Sequence, residues 1–365
     1  MTKRIYVGSL QYSPIYKSHC CAFGAACEAR GYYVKYLFSH EYYWMLSAEV
    51  KEKTVFIGHS TDIPSMVKDA LNPKNMQLIR KIFLEERPTH FYMHNYHLLN
   101  HYIARLAKKY NCKFIYHVHE PFTINKKAHG GLQQCWLHLF EFLQGRLVTK
   151  ADTVVLSSKM AFHLFDLRYP NFLGKKMLIP LMYEDLGDSN INLLERKYIT
   201  FVGPPVPAKN PEKFLEIVKY ANMNGLGFKF LLISRKRIKD PRFHKEKNVE
   251  IFYKERISDE EYGELIKKSL AVITPYRRET QSSVILTSYM YGTPVVSSNV
   301  GGLPEFVHHE ETGYLVDLNA NTKEWIEGIN YVIENFARLS RNCRRYFEEN
   351  FSGKNWEKYL DGLLC

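Results

Sequence analysis

The sequence predicts an α/β protein of two doubly wound domains with mostly parallel sheets, and three observations predict it. Short β-branched or aromatic runs alternate with helix-like segments along the chain, the pattern of parallel strands joined by crossover helices. The 365 residues exceed what one small core takes and fit two domains of roughly 150 to 200 residues each. Polar loops follow strand after strand, which is where open α/β sheets place their chemistry.

The composition, 45% hydrophobic, 14% aromatic and 24% charged, supplies ample core material and excludes a disordered chain. Seven cysteines, Cys20, Cys21, Cys27, Cys112, Cys135, Cys343 and Cys365, are odd in number and lack CxxC spacing. They predict reduced thiols rather than a disulfide framework or a zinc site. No apolar run approaches the roughly 18 residues of a membrane span, and strand-like sequence begins at Arg4. Neither a transmembrane helix nor a signal peptide is expected, which fits a cytoplasmic protein or one peripheral on the inner face of the membrane. Charge is uneven. Met1 to Asp185 holds 24 Lys and Arg against 14 Asp and Glu, a net +10, and the remainder adds only +2. A basic first half suits an anionic membrane surface, a phosphate-bearing acceptor or nucleic acid; the plainer reading is a solvated lysine-rich surface.

Strands are expected at Arg4–Val7, Tyr33–Leu37, Val55–Ile57, His90–Met93, Lys113–His117 and Thr153–Leu156, with helices from about Ser18 to Arg30 and Leu98 to Tyr110. Four exit loops carry functional groups: Gly8 to Ser18, His94 to His97, His119 to Gly131, and Ser157 to Lys159. A lone histidine is more often structural than catalytic. His119 is better placed, just past a strand end and beside Glu120, which would orient its ring. Residues around Ile179 to Asn192 read as a linker.

The second half restarts at Tyr198 with YITFVG, and its exit loop carries Lys209 one turn before a helix, a sensible phosphate partner. The strand Phe228–Ile233 exits into the cations Arg235, Lys236 and Arg237, and Glu250–Tyr253 follows. Leu270–Thr274 is a buried strand stopped by Pro275; a polar turn through Arg277, Arg278, Glu279, Thr280 and Gln281 then opens a helix capped by Ser282 or Ser283. That helix stops at Gly292 before a strand at Thr293–Ser297, completing one βαβ unit with an anion-friendly turn.

The order FVG, Lys209-Asn210, LLIS, VEIFY, PYRRETQSS, YGTPVVSSNVGGLPE and TGYLV resembles the C-terminal domain of the retaining glycosyltransferases of family 4, of group 1 type. PTHFYMHNYHLLNHYIARLAKKYNCKFIYHVHE and ADTVVLSSKM resemble that family's first domain, and FSGKNWEKYL its terminal helix. The resemblance implies the GT-B fold: two Rossmann-like domains facing each other across a cleft, with residues 1–185 binding acceptor, 186–345 binding nucleotide sugar, and 346–365 crossing back to the first domain. It implies His119 beside the donor sugar, Glu279 on the sugar hydroxyls, and Lys209 on the diphosphate. Thr280, Gln281, Ser282 and Ser283 would offer amides to the sugar or distal phosphate, and the segment around Tyr253 would border the base of a UDP- or GDP-sugar.

Three departures stand out. Thr287 occupies the place of a second glutamate that binds ribose, and one hydroxyl accepts fewer bonds than a carboxylate. Pro204 replaces an arginine that pairs with the lysine after Gly203, so Arg278, Arg235 or Arg237 is expected to supply that charge. SPIYKS replaces a glycine pair after the first strand. The acceptor is expected against Tyr12, Tyr16, Lys17, Asn95 and Lys126. No DxD-type motif sits at a strand end, so neither a metal nor any cofactor beyond the donor is expected. The expected reaction is retaining transfer of a sugar to a hydroxyl acceptor, a lipid-linked or cell-envelope glycan as in polysaccharide or lipopolysaccharide assembly. Two other functions fit parts of the sequence: a nucleotide-sugar epimerase, which would isomerise donor without acceptor, and a basic nucleic-acid-binding or scaffold protein, against which no nucleic-acid motif appears.

Overall fold

The computed structural model describes residues 3–122, 131–187 and 195–365. It divides into two compact units, Met1–Glu184 with Phe351–Cys365, and Asp185–Asn350.

Unit 1 runs β1 (Arg4–Ser9), α1 (Pro14–Ala29), β2 (Tyr33–Phe38), α2 (Ala48–Glu52), β3 (Thr54–Phe56), α3 (Ile63–Leu71), α4 (Pro73–Lys81), β4 (His90–His94), α5 (Leu99–Lys109), β5 (Lys113–His117), α6 (Gly131–Val148), β6 (Thr153–Leu156), α7 (Lys159–Arg168) and β7 (Lys175–Leu178). Its sheet is parallel in the order β3-β2-β1-β4-β5-β6-β7. The order reverses direction between β1 and β4, which makes the carboxyl ends of those strands the topological switch point. Helix α1 starts at Pro14, four residues before the sequence-based expectation of Ser18. Proline at the first helical position has its φ pre-set and its missing N–H costs nothing there.

Both sheet faces are covered. Phe91, Met93, Phe114, Tyr116, Ile103 and Leu147 belong to one core cluster, and Val7, Phe23, Tyr92, Ile115, Trp356 and Leu360 to the other. The last two come from the chain's end: a 3₁₀ turn at Gly353–Trp356 leads into α14 (Glu357–Leu364, the last helix of the chain), and Trp356 packs on Phe23 at 4.6 Å and on His19 at 5.2 Å between ring centroids. Mutual hydrogen bonds between Tyr183 and the Phe351–Gly353 backbone tie this return segment down.

Unit 2 runs β8 (Tyr198–Val202), α8 (Pro211–Met223), β9 (Lys229–Ser234), α9 (Arg242–Lys245), β10 (Val249–Tyr253), α10 (Asp259–Lys267), β11 (Ser269–Thr274), α11 (Ser283–Met290), β12 (Val295–Ser298), β13 (Gly313–Val316), α12 (Thr322–Glu334) and α13 (Phe336–Asn350). Its parallel sheet has the order β10-β9-β8-β11-β12-β13, so its switch point lies between β8 and β11. Reciprocal caps fix two helix starts: Ser258 with Glu261, and Asn321 with Glu324. Because α13 continues to Asn350, the return to unit 1 begins at Phe351 rather than at 346.

Candidate active site

At the unit 1 switch point, strand register brings histidines together. His94 and His117 end β4 and β5 as direct partners, and parallel neighbours in register share a face. Their rings lie 4.2 Å apart, with His19 of α1 4.8 Å and 4.9 Å from them. A continuous chain of hydrogen bonds links His117 to His19 through Tyr92. Ser157 Oγ lies 2.5 Å from His117 Nε2, Tyr92 Oη 2.6 Å from His117 Nδ1 and 2.9 Å from His19 Nε2. His19 Nδ1 in turn meets both the carbonyl and the N–H of Met182 at 3.1 Å. Because Met182 offers an acceptor and a donor to one nitrogen, the whole chain can be satisfied in either direction with every ring neutral.

Burial pulls His19 down to about 3 and His119 to about 4, and holds His94 and His117 well below the usual imidazole range. His19, His94 and His117 each bring a ligand atom within 4.8 Å of the others. Yet the nitrogens of His19 and His117 are engaged by Tyr92, Met182 and Ser157, so the cluster is a neutral polar core in this arrangement. His94 is different: neither of its ring nitrogens has a partner among the described residues, although the residue is buried.

The other sequence-based candidates of unit 1 lie around this core. His119 sits just past β5, its ring edge-on to Tyr16 at 5.4 Å, and Tyr16 also packs at a tilt against His94 at 4.3 Å between ring centroids. Neighbouring Glu120 is pushed up to about 7 by burial, so its carboxyl changes charge near neutral pH. Tyr12 packs edge-on against Tyr42. Asn95 adopts a left-handed conformation, φ 65°, and donates to Gln11 Oε1 at 2.9 Å. The Lys17 ammonium pairs with Glu184 at 2.9 Å. Lys126 lies outside the described residues.

Unit 2 places a cation at its switch point. Lys209 ends a 3₁₀ turn at Pro207–Lys209 after β8, and its ammonium donates to the Val202 carbonyl at 3.0 Å while standing 5.4 Å from the Tyr276 ring centroid. Gly203 makes room for this, since at φ 107° a Cβ there would meet the lysine ammonium. Burial lowers Lys209 to about 8, opposed by the negative charge of Glu279.

Glu279 sits in the turn after β11, and the glycine pair after β12 holds that turn. Gly302 N–H donates to the Glu279 carbonyl at 2.9 Å, and a Cβ on Gly301, φ 56°, would collide with the same carbonyl. Ser298 Oγ adds a bond to the Tyr276 carbonyl at 2.5 Å. The motif YGTPVVSSNVGG thus shapes the turn that presents Glu279.

Thr280, Gln281 and Ser282 are buried in this turn, and Ser283 and Thr287 are partly exposed on α11. Thr280 Oγ1 has no partner among the described residues. Ser282 is the N-cap residue, one of the two expected, but its side chain makes no capping hydrogen bond. Arg235 is taken up by the Ile257 carbonyl at 3.3 Å, Tyr253 is exposed at the end of β10, and Arg278 and Arg237 are exposed. Arg277, which the sequence placed in the polar turn without a site role, is tied to the Lys209 loop through Asn210 Oδ1 at 3.2 Å and the Ala208 carbonyl at 2.9 Å. Tyr276 and the His19–Tyr92–His117 chain were also missed, since non-local register creates both.

Two family models match the chain: Glycosyltransferase Family 4 over residues 17–171, and Glycosyl transferases group 1 over residues 187–350. A D-inositol 3-phosphate glycosyltransferase of Rhodococcus opacus is 35% identical over 104 residues, 28% of this chain and 22% of that protein. The chain thus spans about a fifth of that curated relative. Sucrose-phosphate synthase from Thermosynechococcus elongatus superposes with a TM-score of 0.72 at 16% identity, over 99% of this chain and 98% of that one. Anabaena HepE in complex with UDP-glucose superposes with a TM-score of 0.69 at 13% identity, over 99% of each chain. These likenesses establish the two-Rossmann-domain fold of GT-B proteins, and with a family model on each half the chain belongs to the group 1 glycosyltransferases, of the family 4 type.

Proposed function

We propose that this protein transfers a sugar, with retention at the anomeric carbon, from a nucleotide diphosphate sugar to a hydroxyl of a lipid-linked or cell-envelope glycan. The observation that carries the reading is Lys209, a partly buried cation at the switch point of unit 2 that pairs with no carboxylate among the described residues. In the reaction the bond from the anomeric carbon to the diphosphate breaks and one to the acceptor oxygen forms. The acceptor's proton passes to the departing phosphate oxygen. Lys209 neutralises the charge developing on that group, helped by the amides at the start of α11. The arriving phosphate returns the lysine toward its ordinary pKa. Glu279 accepts hydrogen bonds from the sugar, with Thr280 beside it.

His119, neutral at physiological pH, serves as a hydrogen-bonding and positioning group rather than a cation, and Tyr16 packs beside it. This division of labour needs no resident metal, because Lys209 supplies the positive charge. A UDP-sugar donor is supported by the likeness to HepE with UDP-glucose, and an anionic or phosphate-bearing acceptor by the +10 of the first half and by the inositol-phosphate relative. We place the protein on the cytoplasmic side, in contact with the membrane that carries its acceptor.

Thermal-shift screening against UDP- and GDP-sugars, then turnover with lipid-linked acceptors and chelator present, tests the reading. Stabilisation by one donor class and chelator-resistant transfer with retained anomeric configuration are expected. Isomerised donor without any acceptor would replace the reading with an epimerase, and stabilisation by no nucleotide would remove it.

A further inference from the structure

Helix α6 is apolar on both sides. Leu147 and Val148 are buried in the unit 1 core with Phe140 and Leu143 packed against it, yet Trp136, Leu139 and Phe142 stand 44%, 46% and 59% exposed. Spaced three apart, each neighbours the next, and together they form a stripe that winds about a third of a turn round the helix from Trp136 to Phe142, with Cys135 exposed beside it. A helix apolar all round is ordinarily buried or partnered.

Beside this stripe lies an unbalanced band of cations. Arg146 continues α6, with its guanidinium 6.0 Å from the Phe142 ring centroid, and Lys150 follows the helix end. Arg105, Lys108 and Lys109 are exposed on α5, which packs against α6. Burial first, and then the neighbouring charges of Arg146 and Arg105, lower the Lys150 ammonium below its ordinary range, and an anionic partner would oppose that shift. None of the five has a carboxylate partner among the described residues, whereas Lys17, Lys35 and Lys53 of the same unit are all ion-paired. The acid of α6, Glu141, is buried, and α5 has none.

We propose that the exposed face of α6, with the cations of α5 and the α6 end, docks on an anionic lipid surface. This deepens the membrane-borne acceptor reading and rests on it. Trp136, Leu139 and Phe142 enter the boundary between headgroups and acyl chains, and Arg105, Lys108, Lys109, Arg146 and Lys150 meet lipid phosphates. Charge selects this occupant. Two copies meeting through the same face would oppose like charges, so self-association is disfavoured. Trp136, Leu139 and Phe142 precede the cations Arg146 and Lys150 along α6 and just past its end, and this pairing of large apolar side chains with basic residues suits a lipid boundary. No described helix is long and apolar enough to cross the membrane, so the contact is interfacial.

Co-sedimentation of the full chain with phosphatidylglycerol/phosphatidylcholine vesicles, and with phosphatidylcholine alone, tests the surface. Binding to the anionic vesicles only is expected. Phe142→Ser and Leu139→Ser should each weaken it about tenfold, and Arg146→Glu and Lys150→Glu each about fivefold or more. UDP binding and thermal stability, read on the same variants, should not move. If the wild type binds anionic vesicles and these variants bind equally well, the surface is wrong while the membrane reading stands. Absence of wild-type binding at low salt overturns both. A concentration-dependent dimer abolished by Phe142→Ser would make the face a self-interface, and RNA binding that competes with vesicles but ignores Phe142→Ser and Leu139→Ser would make it a polyanion site; either overturns the proposal.

Discussion

At the carboxyl ends of β4 and β5, unit 1 buries His19, Tyr92 and His117 in one hydrogen-bonded chain beside His94, while after β8 unit 2 holds Lys209 by the Val202 carbonyl. The strand plan is the same in both units, so topology alone does not decide what a switch point does. Unit 1 satisfies His19, Tyr92 and His117 within the fold and keeps its histidines neutral, which suits hydrogen bonding to a sugar. Unit 2 leaves a positive charge under-compensated, which suits a departing diphosphate. Charge compensation within the fold, rather than position on the sheet, is what separates the two.

The largest expected effect comes from breaking the unit 2 side. Lys209→Met should lower kcat by about 10²- to 10³-fold, about 2.7 to 4 kcal/mol of transition-state stabilisation, while thermal unfolding stays close to wild type. Turnover within a fewfold of wild type would show that the cation is not used.

On the unit 1 side, removing a partner should cost stability. Tyr92→Phe strips a phenol from both His19 and His117 and should destabilise by about 1–3 kcal/mol. His94→Leu should cost less or even stabilise, because its nitrogens have no described partner to lose. Denaturant unfolding of the two variants compares them directly, and the reverse ranking would contradict the neutral-core reading.

Acid sensitivity is distributed over several groups of unit 1 rather than resting on one residue. His19, His90, His97, His101 and His119 are held at about 3 to 4 by burial, all in unit 1. Their folded pKa values lie below the unfolded value near 6.5, so the unfolded chain binds more protons in that window. Stability is then full above about pH 6.5 and falls toward pH 4, by up to about 1.4 kcal/mol per pH unit for each histidine. Hydrogen exchange should show unit 1 loosening before unit 2 on acidification.

Much of this frame was legible in the sequence because local signals carry it. Apolar runs bounded by turns located the strands, and Lys209 and Glu279 stood in exit loops that the fold class already marks. What local signals cannot show is non-local satisfaction. Lys17 looks available until Glu184, 167 positions away, pairs with it. The histidine chain exists only through the β4–β5 register and through Met182 from the far end of unit 1. Gly301 was recognisable as part of a family motif, but its physical reason, the close approach to the Glu279 carbonyl, is visible only in the fold. The start of α1 was misplaced because Pro14 reads as a loop residue as readily as a first helical one.

The central claim is that Lys209 receives the diphosphate charge. Calorimetric titration of UDP at pH 8 to 9, in buffers of different ionisation enthalpy, tests it most directly. With a free-protein pKa of about 8 that rises on binding, the wild type should take up protons as UDP binds, and its affinity should weaken as the pH rises above 8. Lys209→Met should bind more weakly with no such uptake. Equal affinity and equal proton uptake in both proteins would contradict the account.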